Sequence, residues 1–359
     1  MKRVLLSIVL LTLAAGVAFA EPAEGFLTDY ATAQAQAKKE NKPLFLHFTT
    51  DWCTWCRKIE SDIYKTPEGK KILAPFVKAT LDCTVPQGQQ PSGKVRTYLQ
   101  MMQKYGGQGY PFLVMTTPDG DMLGQIIGYL PMPQFKAEVD KALKNWELYK
   151  KIKACQAKGD TNSLEYHQDC LNYYLETQNV PKAVRAAEAL RKLDPKGEKT
   201  DAAQITYALL HGALASEADL AKIEALRKDV AQADPKNEKG YLEKAYLANV
   251  MALMMQGQKK TPAEQQDILR QMVALLQETA RKVPSLSNPM QVYGLLFQVQ
   301  AKLGDFDGAI QSLEEFKKVA PDGVDMTRID ETIEQLKQAK QQTAVEAGPA
   351  DAPKETPAE

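Results

Sequence analysis

The chain carries no surplus of charge of either sign: 45 Lys and Arg balance 45 Asp and Glu over 359 residues. A nucleic-acid binder needs a basic footprint, and none is available here. Histidine is scarce and scattered (His47, His167, His211), which leaves few ligands for a metal site. Cysteine is too rare for a disulfide scaffold. The five thiols, Cys53, Cys56, Cys83, Cys155 and Cys170, are odd in number, so at least one stays unpaired or shared. Beyond residue 20 no apolar run is long enough to cross a bilayer.

The N-terminus, MKRVLLSIVLLTLAAGVAFA, is the one long apolar stretch. Lys2 and Arg3 precede an apolar run over 4–17, and Ala18-Phe19-Ala20 is a small-x-small cleavage site, so a cleavable signal peptide is expected over 1–20. The run is too short for an anchor, and no cysteine follows the site to carry a lipid. The mature chain is expected to be periplasmic or secreted, where disulfides persist. Its length suits about two domains.

Residues 26–147 mix two periodicities. A helix is expected over Asp29–Glu40. The run Pro43–Phe48 reads as a strand buried on both faces, and a helix starts at Cys53 and runs to Ile63. A second buried strand covers Phe76–Leu81, and Lys94–Tyr105 is a helix. Pro111–Thr117 and Met122–Gly128 flank the turn Pro118-Asp119-Gly120, a hairpin. The pattern is β-α-β-α-β-β-α. From about 134 to 338 only helical patterns follow, and apolar positions Phe135, Val139, Ala142, Trp146, Tyr149 and Ile152 predict one helix running unbroken between the two regions. The last residues, 339–359, are rich in Pro, Ala and Glu and are expected to be a disordered tail.

FTTDWCTWCRKIE, residues 48–60, holds the chemistry. A haem tether needs His after the second cysteine, and Arg57 stands there. Zinc would need Cys83 and the scattered histidines to converge. A structural bridge between residues three apart closes almost no loop and contributes little. Redox exchange explains the spacing. Cys53 at a helix N-terminus is favoured as thiolate, and Cys56 one turn on can resolve a mixed disulfide.

These residues, with FVKATLDCT (76–84) and GYPFLVMTTPDGDMLGQIIGY (109–129), resemble the thioredoxin superfamily, in particular secreted thioredoxin-like domains and the C-terminal domain of the bacterial thiol:disulfide interchange protein. The resemblance implies an α/β thioredoxin-like domain over 21–147, a cis Pro111 facing the cysteines, and a groove at Trp55, Tyr110 and Pro111 where substrate backbone pairs. Gly128 matches the glycine ending the last strand. Where the family has a carboxylate six residues before the first cysteine, this chain has His47. Where the family has Thr after the cis proline, it has Phe112, which suits an apolar groove. The segment AKLGDFDGAIQSLEEFKKVAPD (301–322) resembles a tetratricopeptide repeat, with Gly304, Phe306, Ala309, Phe316 and Pro321 at its small, aromatic and terminating positions. Residues 173–195 match more weakly. Prolines at 195, 235, 284 and 321 recur at irregular intervals, so 148–338 is expected to be a divergent TPR-like all-α domain.

His47 is the candidate proton acceptor for Cys56; as the only polar side chain in a buried strand, it is equally well read as a satisfied core histidine. Trp52 is expected to pack structurally and Trp55 to meet substrate. Asp51 is expected to cap the cysteine helix. Cys83 reads as a buried inert thiol. Cys155 and Cys170 flank a turn at 158–162 and are candidates for a structural disulfide. Met251, Met254 and Met255, at i, i+3, i+4, are expected to fill core, against alternatives of a soft-metal site or an adaptable docking face.

The expected function is an exported thiol–disulfide oxidoreductase acting on protein thiols and disulfides, with a protein partner on the helical domain. Electrons pass between sulfurs, so no cofactor or metal is expected. No nucleic acid and, after signal removal, no membrane span are expected. Two alternatives stand beside it: an interaction scaffold or chaperone-like binder with regulatory thiols, and a dimeric disulfide isomerase.

Overall fold

The computed structural model describes residues 24–258, 260–283, 286–320 and 324–346. The expected signal peptide, Pro284, Pro321 and the end of the expected tail lie outside the described residues. The chain divides into two compact units at Ala154/Cys155, later than the boundary expected at 147.

The first unit is built on a five-stranded mixed sheet in the order β1-β3-β2-β4-β5. β2 (Leu44–Thr49) pairs parallel with β3 (Val77–Asp82) and antiparallel with β4 (Phe112–Thr116), and β4 turns into β5 (Met122–Ile127). Gly120, at φ +86°, supplies the left-handed turn residue in that hairpin, with its N–H on the Thr117 carbonyl at 3.0 Å. β2 is central, and alternation sends its side chains to two cores. Leu44, Leu46 and Phe48 meet Ala33 and Ala37 of α1 (Tyr30–Glu40) and Tyr98 and Met102 of α4 (Gly93–Lys104). Phe45, on the other face, touches the rings of Phe26, Tyr64, Phe76 and Phe135. His47 shares that second face.

Two elements add to the expected pattern. β1 (Phe26–Leu27) pairs with β3, and α3 (Pro67–Leu73) starts at the Thr66 cap, whose hydroxyl accepts from Gly69 N at 3.0 Å. The cysteine helix also changes character. α2 (Thr54–Ile59) passes into a π-helical turn over Glu60–Tyr64, where Lys65 N bonds the Glu60 carbonyl at 3.0 Å. The wider turn carries Ile63 and Tyr64 into the core.

α5 (Met132–Lys158) is one unbroken helix of 27 residues that passes through the division between the units. It buries Phe135, Val139, Ala142, Trp146, Tyr149 and Ile152, and Asn145 donates to the Leu123 carbonyl at 2.8 Å.

The second unit is helical throughout: α6 (Leu164–Glu176), α7 (Val180–Leu193), α8 (Ala202–Ala215), α9 (Leu220–Ala233), α10 (Tyr241–Gly257), α11 (Pro262–Lys282), α12 (Pro289–Lys302), α13 (Phe306–Val319) and α14 (Met326–Glu346). Each helix packs on the next, and α8 also touches α6 and α10, so these three form one layer. Two loops repeat one device. Asp194 and Asp234 each end a helix before Pro, and their carboxylates accept backbone N–H groups of the loop that follows, Lys199 at 2.8 Å and Tyr241 at 3.1 Å.

Three expectations fail in this unit. α14 continues to Glu346, into the stretch expected as tail. Met251, Met254 and Met255 are exposed, because α10 gives the core Leu247, Val250, Ala252 and Leu253 instead. Cys155 and Cys170 are free thiols. The partner of the buried Cys170 sulfur is the Tyr166 hydroxyl, which in turn accepts from Gln156 Nε2 at 3.0 Å; burial pushes the Cys170 thiol up to about 11.

Candidate redox site

Cys53 and Cys56 are joined by a disulfide, with Cα atoms 5.2 Å apart. Cys53 is the N-cap of α2, in extended conformation, and its sulfur accepts from Cys56 N at 3.1 Å. Both are nearly buried, at 4% and 2% exposure. The helix therefore opens on a sulfur, where a side-chain oxygen usually sits, and its first N–H groups favour negative charge there. Asp51 does not cap the helix. Its carbonyl accepts from Arg57 Nη1 at 2.8 Å and its N–H bonds Thr84 Oγ1 at 2.9 Å, which ties the cysteine loop to the end of β3.

Two exposed tryptophans flank the disulfide. Trp52, 65% exposed, is no packing residue; its ring meets Tyr110 edge-on at 5.7 Å. The Tyr110–Pro111 peptide is cis, and Pro111 O accepts from Gly128 N at 2.9 Å. The Tyr110 hydroxyl hydrogen-bonds the Cys83 thiol; burial first, then that thiol, raises its pKa. Cys83 is buried, which pushes it up to about 11 and keeps it a protonated thiol. Trp55, 55% exposed, lies against Tyr129 at 5.5 Å. Tyr129 is pinned in turn: its hydroxyl donates to Asp62 Oδ2 at 2.8 Å, and Lys58, bridged to Asp62 at 2.7 Å, sits 5.2 Å over its ring. The Lys58 contact, with Ser61 and Tyr129, holds the Asp62 carboxyl down at about 2.

On β2, five residues before Trp52, lies His47, fully buried, with neither ring nitrogen bonded among the described residues. Tyr64 meets it edge-on at 5.5 Å, and Thr80 is its neighbour on β3. The Tyr64 hydroxyl and Thr80 Oγ1 are also buried without partners. Burial lowers the imidazole to about 3, so the ring is neutral.

Glu60, Tyr129 and Asp62 were not among the candidates read from sequence. Glu60 had a readable signal, since it follows Cys56 by four residues and so shares its helical face. Its N–H bonds the Cys56 carbonyl, and half-burial raises its carboxyl pKa against the opposing charges of Lys65 and Arg57. Among the described residues no three or more His, Cys, Asp or Glu side chains gather as a metal site, and no helix is long and apolar enough to cross a membrane.

A CxxC disulfide at the start of a helix, on a central strand flanked by parallel and antiparallel neighbours, defines a thioredoxin-like fold. Residues 30–143 match the thioredoxin-like domain family, so the first unit is a thioredoxin-like domain. Among curated proteins, the chain is 28% identical over 105 residues to "Thioredoxin-like protein HCF164, chloroplastic" of Oryza sativa subsp. japonica, covering 29% of this chain and 36% of that protein. It is 29% identical over 119 residues to "Disulfide bond reductase DsbH" of Chlamydia pneumoniae, covering 32% of this chain and 70% of the relative. The chain thus spans about a third of the length of the plant relative. A solved structure titled "DsbH Oxidoreductase" is 27% identical with a TM-score of 0.28, covering 34% of this chain and 88% of that one.

Proposed function

We propose that this protein is an exported thiol–disulfide oxidoreductase that exchanges disulfides with protein substrates and holds a partner through its helical unit. The observation that carries the reading is the Cys53–Cys56 disulfide at the α2 N-terminus, nearly buried between two projecting tryptophans. Export rests on the N-terminal signal pattern. The names of the matched relatives, a reductase among them, agree with the chemistry.

In the reducing direction the Cys53 thiolate attacks one substrate sulfur. The substrate S–S bond breaks, a mixed disulfide forms, and the first substrate sulfur leaves as a thiolate that takes up a proton. Cys56 then loses its proton and attacks Cys53. The mixed disulfide breaks, the second substrate sulfur leaves, and the enzyme regains the Cys53–Cys56 disulfide. Two electrons pass to the substrate; run backwards, the same steps oxidise a dithiol.

The proton from Cys56 needs an acceptor. His47 is a poor one, since a base near 3 lies roughly five units below an ordinary thiol at ~8.5. We assign the role to Glu60, one turn after Cys56, whose raised pKa brings it closer to the thiol's. His47 is then a buried neutral spacer.

Turbidity of insulin during disulfide reduction tests the whole reading. Wild type should accelerate precipitation and Cys53→Ser should not. Equal rates would leave the cysteines without the proposed role.

A further inference from the structure

Cys83 takes no part in the exchange steps above, yet the chain fixes its sulfur where the substrate groove is built. It is the first residue after β3, and its N–H donates to the Thr49 carbonyl at 2.8 Å, at the end of β2. That bond ties it to the strand leading into the cysteine loop. Its thiol is buried and donates to the Leu81 carbonyl at 3.7 Å. With the S–H committed there, the sulfur lone pairs remain to accept the Tyr110 hydroxyl. One thiol thus serves as donor and acceptor, and burial keeps it protonated, as the donor half requires.

Tyr110 stands at the joint of the groove. It precedes the cis Pro111, packs on the core cluster that contains Cys83, Phe48 and Phe112, and meets Trp52 edge-on at 5.7 Å. Among the described residues no other ring touches Trp52, so a shift of Tyr110 leaves that exposed indole unsupported. The same short segment holds the opposite side. Thr84, next to Cys83, accepts the Asp51 N–H at 2.9 Å. Its own N–H and hydroxyl donate to Asp82 Oδ1 at 2.9 Å and 2.5 Å. Asp82-Cys83-Thr84 therefore sets both the backbone that precedes Trp52 and the ring that Trp52 meets. An apolar side chain at 83 would fill the core as well as a thiol does, but it would release the Tyr110 hydroxyl.

We propose that Cys83 is a positioning residue for the disulfide exchange: its thiol holds the Tyr110 hydroxyl, and through that ring it fixes the Trp52–Tyr110 wall against which a polypeptide substrate lies when Cys53 attacks. This role rests on the exchange chemistry proposed above. Cys83 itself forms no bond to substrate and passes no electrons. A disulfide too small to reach the wall gains nothing from it. The ratio of rates on a peptide disulfide and on a small one therefore reads the wall alone.

The test uses the full chain, reduced beforehand, against two disulfides: a fluorescence-quenched dimer of decapeptides joined by one disulfide, and hydroxyethyl disulfide. The ratio of their second-order rate constants, peptide over small, should fall about fivefold in Cys83→Val, as expected for one lost hydrogen bond. Tyr110→Phe removes the same bond from the other end and should lower the ratio equally, with no further fall in the double variant. Cys83→Ser, whose hydroxyl can both donate and accept, should stay within about twofold of wild type. A fold weakened in general slows both disulfides together, so a merely structural Cys83 leaves the ratio unchanged. An unchanged ratio in Cys83→Val, losses that multiply in the double variant, or a Cys83→Ser as impaired as Cys83→Val overturns the proposal. Wild type that reduces neither disulfide, like Cys53→Ser, rejects the exchange reading itself and this role with it.

Discussion

Each unit buries an ionisable side chain, Glu243 in one and His47 in the other, and the two are held in opposite ways. In the helical unit Glu243 is almost fully buried, and its carboxylate accepts from Ser287 N at 2.6 Å, Ser287 Oγ at 2.7 Å and Asn288 N at 3.1 Å. Ser312 likewise bonds Gln300 at 2.6 Å. In the thioredoxin-like unit His47, Thr50, Tyr64, Thr80, Thr116 and Gln125 each bury a polar atom with no hydrogen-bond partner among the described residues. A buried polar group that is paired supports a fold, and one that is unpaired costs stability. The helical unit also buries Arg227 Nε and Asn249 Oδ1 without a hydrogen bond among the described residues, so the contrast lies between Glu243 and His47. His47 lies unpaired on the same face of the sheet as Phe45, with the unpaired Tyr64 and Thr80 as neighbours.

The largest effect that sharpens this contrast is on Glu243. Glu243→Ala leaves two N–H donors at the start of α12 unpaired and should destabilise the helical unit by about 3 kcal/mol. Urea unfolding followed by helix signal measures it. An unchanged midpoint would mean that the buried carboxylate is not structural.

His47 should behave in the reverse sense. Its folded-state value is about 3 against 6.5 in the free side chain. Between those values the unfolded chain binds a proton that the native state does not, so stability falls as pH falls below 6.5. From pH 6 to pH 4 this group should account for about 2 kcal/mol of loss. Unfolding of His47→Leu at the two pH values should show a loss smaller by that amount. Parallel pH profiles would contradict a buried neutral imidazole.

Smaller effects are expected at the surface. Tyr129→Phe removes the hydroxyl on Asp62 and frees Trp55, so Trp55 fluorescence should become more mobile by anisotropy decay while stability changes by under ~1 kcal/mol. The smallest belongs to the exposed methionines. Met251→Gln should shift stability by no more than about 0.5 kcal/mol, whereas a core methionine would cost several times that.

Much of the redox unit was legible because its signals are local. A short apolar run marked β2, the Pro118-Asp119-Gly120 turn marked the hairpin, and the step pattern from Phe135 to Ile152 marked α5. Features that depend on distant partners were not. β1 is two residues long and gains its identity only by pairing with β3. The π turn at Glu60–Tyr64 has no period of its own, and Tyr129 joins the site only by meeting Trp55 across the fold. Trp52 was assigned to packing by position in a family pattern, yet its solvent-facing side is open. The methionines of α10 misled because that helix is apolar on nearly every side, so periodicity does not say which face is inward. Cys155 and Cys170 were placed near one another by the turn between them, but proximity in sequence does not supply bridge geometry.

The central claim is that Cys53 attacks and Cys56 resolves. Cys56→Ser should trap a protein substrate as a mixed disulfide, and digestion with mass spectrometry should place the bond on Cys53. The trap should vanish in the Cys53→Ser, Cys56→Ser double variant. A substrate bonded to Cys83, Cys155 or Cys170, or a trap that survives in the double variant, would contradict the account.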